Sequence, residues 1–432
     1  MTRPYVQMNA GNSNGTPKLK VLWFIDVDYR YGMNHGGNLR FFNLSRELVA
    51  KGHEVYYVVR RNEADDAGER KRYLDDLVRQ QIITGYFETG YSYPNLRRKL
   101  GSIVGHPGLA NRVLGKYQRE AKDEINAIIK REGIDLCVFC DRKMLFILPE
   151  VRRSVHTIID WVDSFVLYRV REAKVCFKSR EFSRLLPALR YLFDAVLQER
   201  YYGKLSFANL TVSPVDKRCL DRVNRVPQRN RVLLNGVKTN GGAPVVEKIK
   251  NRIIFSGNMD FPPNYEAAIW FIDNVLPLIL ERKGDIKFVV AGANPVEELL
   301  KRKGEHVEIT GFVDDMREEI ARSALYVAPL ISGGGFKNKV AEAVTAGTYI
   351  VATSMAVEFL DERIREHLVV ADEPREMAER VLEFLDNPSR YDERLKTVRK
   401  IIEDEFQWRG RAEELIRIMS ETSTSHQENK FA

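Results

Sequence analysis

Residues 332–347 read Ser-Gly-Gly-Gly-Phe-Lys-Asn-Lys-Val-Ala-Glu-Ala-Val-Thr-Ala-Gly, and this stretch decides the fold. Three consecutive glycines let the backbone turn without a Cβ penalty and bring its N–H groups close to a ligand. The helix that follows aims the positive end of its dipole at the same point, which suits a phosphate. Lys337 and Lys339 add two ammonium groups there. Glu342 lies one helical turn beyond Lys339, where a carboxylate accepts hydrogen bonds from sugar hydroxyls. A nucleoside diphosphate sugar offers both kinds of partner.

The flanking sequence places this loop. Residues 325–331 form a short apolar run that reads as a buried strand, the helix ends at Gly347, and residues 349–353 read as the next strand. Strand, loop, helix and strand in that order put the glycines at the carboxyl end of a parallel sheet, where open α/β folds bind ligands.

A chain of 432 residues exceeds a single ordinary core, so two domains are expected. No apolar run is long enough to span a bilayer. Residues 1–19 are polar and Gly/Asn-rich without an apolar h-region, which reads as a disordered leader on a cytoplasmic protein. Four cysteines in so long a chain make no disulfide framework. Cys137 and Cys140 are spaced like half of a zinc knuckle, but they lie in an apolar run and no second pair completes a site, so core thiols are expected and no metal.

The formal charge of +8 favours an anionic partner. From 89 to 119 the chain holds no acidic residue, and Arg97, Arg98, Lys99, Arg112, Lys116 and Arg119 alternate with apolar side chains. A segment lying on an anionic membrane surface and a solvated helix pair both fit this pattern. Nucleic acid is not expected, because no nucleic-acid motif accompanies the charge.

Along the chain, residues 20–27 read as a strand, 28–37 as a glycine-containing loop, 39–50 as a helix stopped by Gly52, and 54–59 as a second strand, a βαβ opening with Gly36 and Gly37 at the first strand-to-helix junction. Residues 134–140 and 155–159 read as strands with acids at or past their carboxyl ends, Asp141 after the first and Asp160 and Asp163 after the second. Residues 178–204 carry a long helical pattern rich in Arg and aromatics, and 210–213 and 231–236 are further short strands. Residues 238–250 contain Thr-Asn-Gly-Gly-Ala-Pro and read as a linker. A second α/β pattern follows, with strands at 252–256, 286–291 and 307–309, a loop at 257–264 and a helix at 265–280. Helical periodicity covers 376–385 and 391–420, and 421–432 reads as a disordered tail.

These residues resemble the GT-B glycosyltransferases, and most closely their large retaining group. The resemblance runs from about residue 20 to 420. Gly36-Gly37-Asn38-Leu39-Arg40 with Gly52-His53-Glu54-Val55 is similar to that group's N-terminal signature, and Leu233-Leu234-Asn235-Gly236-Val237 to the end of its N-terminal domain. Gly311-Phe312-Val313 resembles the loop that meets the nucleobase, residues 333–343 the donor motif, and Phe406-Gln407-Trp408 the start of the last helix. Asp160-Trp161-Val162-Asp163-Ser164 and Gly257-Asn258-Met259-Asp260 resemble a subset associated with the PEP-CTERM/exosortase export system.

The resemblance implies two doubly wound Rossmann-like domains facing a central cleft, an acceptor-binding domain over 20–237 and a nucleotide-sugar-binding domain over 251–395, with a helix over 396–420 crossing back to the first. It implies transfer of a sugar from a UDP- or GDP-sugar to a glycan or polyprenyl-linked acceptor, with retention, in bacterial cell-surface or exopolysaccharide synthesis. The expected place is the cytoplasm or the inner face of the membrane. No cofactor or metal is required, since lysines and N–H groups stabilise the departing diphosphate. The implied donor contacts are Gly36, Gly37, Asn258, Phe312, Val313, Gly334, Gly335, Phe336, Lys337, Lys339 and Glu342. Lys337 and Lys339 carry the leaving group, Glu342 holds the ribose, and Asp141, Asp160 and Asp163 are candidates to orient or deprotonate the acceptor. His35 either touches the sugar or phosphate or stays a solvated loop histidine.

Three departures stand out. The family's paired glutamates lie eight positions apart, but Gly334 stands where the first would precede Glu342. The loop at 258–264 has no cation where many members carry Arg and Lys. The histidine common at the end of the fourth strand is missing, with Asp141 nearest. Two other readings stay open, a GT-B nucleotide-sugar epimerase and a non-catalytic sugar-nucleotide-binding relative.

Overall fold

The computed structural model describes residues 18–26, 36–61, 66–90, 115–178, 180, 182–238 and 242–428. His35, most of the 89–119 segment, the leader up to residue 17, part of the linker at 239–241 and the last four residues lie outside them.

The first half builds one parallel sheet. Its strands are β1 (Lys20–Ile25), β2 (Glu54–Arg60), β3 (Gly85–Thr89), β4 (Leu136–Phe139), β5 (His156–Val162), β6 (Ala208–Thr211) and β7 (Asn230–Val232), in the spatial order β3-β2-β1-β4-β5-β6-β7. Strands such as β1, Lys-Val-Leu-Trp-Phe-Ile, are apolar and buried after their first residue because both faces are covered. The covering helices are α1 (Gly36–Ala50), α2 (Ala67–Arg79), α3 (Gly115–Glu132), α4 (Phe165–Lys178), α5 (Phe182–Leu205) and α6 (Pro214–Asn224). Gly52, at φ 86°, ends α1, with His53 N–H bonded back to Leu48 C=O at 3.1 Å.

The second half repeats the plan. Strands β8 (Ile249–Ser256), β9 (Lys287–Ala291), β10 (Val307–Gly311), β11 (Ser323–Ala328), β12 (Tyr349–Ala352) and β13 (Val369–Val370) form a parallel sheet in the order β10-β9-β8-β11-β12-β13. Its main helices are α7 (Pro262–Asn274), α8 (Met316–Arg322), α9 (Asn338–Thr345), α10 (Pro374–Asp386) and α11 (Asp392–Glu405). In both sheets the order reverses beside the first strand, so ligand-binding crevices open at the carboxyl ends of β1 and β4 and of β8 and β11.

The chain then returns to the first half. Helix α12 (Trp408–Glu428) packs on α1, and its Trp408, Ala412, Leu415, Ile416, Ile418 and Met419 complete the core formed by Trp23, Phe42, Leu44 and Leu48. The helix expected over 396–420 is therefore two helices. Val237 N–H bonds Phe406 C=O at 2.7 Å and Val237 pairs with Gln407, which pulls two residues out of helical geometry. Helix α12 also takes in the first part of the expected tail, continuing to Glu428.

The Asn235-Gly236-Val237 motif has a packing reason. A Cβ on Gly236 would lie 2.5 Å from Trp408 Cδ2 and 2.7 Å from its backbone N. Gly236→Ala is expected to lower stability by about 1–3 kcal/mol through overpacking. A thermal melt matching that of the natural chain would contradict this.

Candidate active site

After β11 ends at Ala328, the glycine loop leaves the crevice between β8 and β11. Gly333 and Gly335 take φ of 99° and 73°, a region that suits glycine. At Gly335 a second constraint applies, because a Cβ would lie 1.9 Å from Asp163 Oδ1. The loop is braced behind by Thr353 Oγ, which donates to Leu330 C=O at 2.7 Å. Phe336, expected to touch the donor, is instead buried with its ring 4.3 Å from that of Phe359, and so anchors the loop. Helix α9 begins at Asn338, directly after the loop.

The two lysines diverge. Lys337 is buried and folds back to donate to the carbonyls of Gly334 and Gly335. Burial lowers its pKa, and the carboxylates of Asp163, Glu358 and Asp216 counteract this. Lys339 points forward to the loop after β8. It donates to Asn264 Oδ1, lies 4.8 Å above the Phe255 ring, and stands 2.9 Å from where a Cβ on Gly257 would be. The sequence of that loop lacks a cation, and Lys339 brings one to it from α9. Desolvation, reinforced by Lys337, holds the Lys339 ammonium down to about 7. Glu342 remains accessible to water although protein surrounds it on most sides. That crowding raises its carboxyl above the ordinary range, and Lys339 opposes the shift.

The three candidate acids occupy different settings. Asp141 is buried, paired with Arg60, and caps the 3-10 helix that follows by accepting from Lys143 N–H at 2.8 Å. Asp160 lies inside β5 rather than past its end. Its Oδ2 accepts from Arg40 Nε at 2.8 Å, and both side chains are fully buried. Arg40 Nη1 also donates to Leu233 C=O and Asn235 Oδ1, and Asn235 donates to Asn338 Oδ1 at 3.2 Å. Asp160 thus acts through Arg40 and Asn235 on the start of α9. Asp163 is the acid that faces the glycine loop. Desolvation first, and then Asp216, push its carboxyl up to about 6, against Lys337 and Arg142.

The remaining positions are spread along the crevices. Gly36 and Gly37 form the first turn of α1, which begins earlier than the periodicity of 39–50 suggests. Asn258 is held by protein partners, its Oδ1 accepting from Asn294 in the loop after β9 and its C=O from Asn264. Phe312 is 75% exposed at the end of β10, while Val313 packs on the core.

Sequence reasoning does not find Arg171. It donates to Gly333 C=O at 2.7 Å and pairs with Glu358 through both terminal nitrogens at 2.6 and 2.7 Å, joining α4 to the glycine loop across the two halves. No local pattern marks such a pair. Asp216 had a signal, since Ser213-Pro214-Val215-Asp216 reads as a helix start, and Ser213 Oγ accepts from the Asp216 N–H at 3.0 Å.

Residues 250–387 match the family model described as glycosyl transferases group 1. The second half thus carries a group 1 glycosyltransferase domain, in a chain with the GT-B fold. A protein of Klebsiella pneumoniae described as an uncharacterized 44.6 kDa protein in the cps region is 26% identical to this glycosyltransferase over 84% of the chain and 91% of its own length. The phosphatidyl-myo-inositol mannosyltransferase of Mycobacterium leprae is 29% identical over 32% of the chain and 38% of its own length. Among solved structures, Anabaena HepE in complex with UDP-glucose superposes with a TM-score of 0.60 at 13% identity, over 94% of this glycosyltransferase and all of that chain.

Proposed function

We propose that this glycosyltransferase moves a sugar from a UDP- or GDP-sugar to a glycan or polyprenyl-linked acceptor, with retention, in bacterial cell-surface or exopolysaccharide synthesis. In this reading the first half binds the acceptor, the second binds the donor, and the protein works in the cytoplasm or at the inner face of the membrane. The observation that carries it is the glycine loop at the crevice between β8 and β11, with Lys339 directed to the neighbouring loop and Glu342 exposed beyond it. A UDP-glucose complex in a protein of similar fold, a relative from a cps region and a partial match to a lipid mannosyltransferase support it.

Lys337, Lys339 and the first N–H groups of α9 neutralise charge that develops on the departing diphosphate. Glu342 holds the ribose and Phe312 stacks on the base. Asp163, from the other domain, supplies the carboxylate that Gly334 cannot, because its Oδ1 lies against the backbone of Gly335. A carboxylate there accepts hydrogen bonds from the transferred sugar or the incoming hydroxyl.

The test is a thermal-shift panel of UDP, GDP, ADP, TDP and their sugar conjugates, followed by product analysis. A selective shift with nucleoside diphosphate released in step with acceptor glycosylation is expected. Donor isomerisation without acceptor would mean an epimerase, and binding without consumption a non-catalytic relative.

Asp163→Asn is expected to reduce turnover by roughly a hundredfold, the scale of a positioned acid–base group, while donor affinity stays within about threefold by losing no diphosphate contact. Natural turnover should fall as pH drops through about 6, where Asp163 gains a proton. The asparagine variant should lack that limb. An unchanged turnover and pH profile would leave Asp163 a packing residue.

A further inference from the structure

Helices α4 and α5 form a hairpin that connects β5 to β6, and one of its faces has no partner within the described residues. The inner side of α5 is conventional, with Ala188, Ala195, Glu199 and Tyr202 buried. The opposite side carries Phe182, Leu186, Leu189 and Phe193, which are 60%, 73%, 46% and 60% exposed. Their spacing, four, three and four residues, makes one continuous helical stripe. Phe177, at the end of α4, adds a fifth large apolar side chain at 66% exposure. Single exposed apolar residues are ordinary, but a stripe of this kind marks an interaction surface.

Among the described residues the exposed charges beside the stripe are cationic, and Asp194 next to Phe193 is half-buried. Lys174, Arg180 and Arg190 are exposed, whereas none of the described acidic residues of the hairpin is. Glu172 pairs with Arg169 at 2.5 Å, and Glu199 is buried, where it accepts from the N–H groups of Phe165 and Val166 at the start of α4. No helix among the described residues is long and apolar enough to cross a membrane.

We infer that the α4–α5 hairpin docks this protein on the surface of an anionic bilayer, with Phe177, Phe182, Leu186, Leu189 and Phe193 inserted among the lipids and Lys174, Arg180 and Arg190 at the headgroups. Apolar side chains on one helical face with flanking cations are what an interfacial helix uses, and the cations select anionic lipid. The stripe is mounted on a scaffold that reaches the donor loop, since α4 also carries Arg171, bonded to Gly333 and Glu358. Docking would therefore hold the cleft beside the bilayer. The inference does not depend on the donor chemistry, and its test reads lipid binding directly.

The full chain is floated with vesicles of phosphatidylcholine alone and with vesicles in which about a third of the lipid is phosphatidylglycerol. Binding is expected on the anionic vesicles and at least roughly tenfold weaker on the neutral ones, because the polybasic contribution is lost. Two combined variants, one changing Phe182, Leu186, Leu189 and Phe193 to Ser and one changing Lys174, Arg180 and Arg190 to Glu, should each lower binding by roughly tenfold or more. Both should melt at the natural temperature, since these side chains are exposed. Failure of the natural chain to float with anionic vesicles, or equal flotation of the variants, overturns the proposal. A natural dimer that the serine variant converts to monomer, without lipid binding by either, overturns it in favour of a contact between two copies.

Discussion

Replacing Lys339 by alanine is expected to weaken nucleoside diphosphate binding by roughly tenfold to a hundredfold near pH 6.5, the worth of a charge-assisted contact. The effect should exceed that of removing any exposed cation, because Lys339 is the group directed at the loop after β8. The pH dependence is a sharper signature. In the free protein burial and Lys337 hold the ammonium down to about 7, while a bound diphosphate favours its charged form and raises it. The sign follows from linkage. Below pH 7 the lysine is charged in both states and affinity is level, whereas above it binding requires uptake of a proton and affinity falls, by up to about tenfold per pH unit. Calorimetry in buffers of different ionisation enthalpy should detect that proton at pH 8 and not in Lys339→Ala. Equal affinity of the two proteins across this range would remove the donor-site assignment.

The second large effect is expected from Arg40→Ala. Arg40 and Asp160 are fully buried, and removing the cation leaves a carboxylate inside the first sheet without its charge partner. Breaking one side of such a pair costs about 3–5 kcal/mol. Leu233 C=O and Asn235 Oδ1 lose their donor in the same step. Urea unfolding followed by circular dichroism should show the loss, and Asp160→Ala should be similarly damaging. Removing both should cost less than the two single losses added together, because their coupling is counted once. A loss below about 1 kcal/mol for Arg40→Ala would mean that Asp160 finds another partner. Because Asn235 bonds Asn338 at the head of α9, Arg40→Ala should also loosen the donor loop.

The parallel sheets were legible because strands buried on both faces leave uninterrupted apolar runs, as in β1, β4 and β11. The glycine loop was legible for a local reason too, since glycines, lysines and helix start are contiguous. The edge strand β3 was not, because its Gly-Tyr-Phe-Glu is half-buried and shows neither a full run nor an alternation. Asp160 looked like a cleft acid because the strand is longer than its apolar core. What places it inside β5 is an arginine on α1, far away in sequence. The break at Phe406 and Gln407 is hidden from periodicity, which continues through it; the resemblance of Phe406-Gln407-Trp408 to the start of a last helix marked the place, and Val237 supplies the physical cause. The meeting of Asp163 with Gly335 and of Arg171 with Glu358 depends on how two separately patterned halves approach. Patterns of period two or 3.6 hold no information about that approach.

The docking of α12 on α1 also sets an order of assembly. The second half is continuous from β8 to α11, and its core is complete once the chain has been synthesised to Phe406. The half made first is not complete by then, because Trp408, Leu415 and Met419 belong to its interior. Domains usually acquire their structure in the order in which they leave the ribosome, yet here the earlier one lacks part of its interior, with Trp23 and Phe42 uncovered, until α12 arrives. Helix α12 is therefore the closing stitch of the first half, and a chain cut before Trp408 should carry a folded second half and a first half still open.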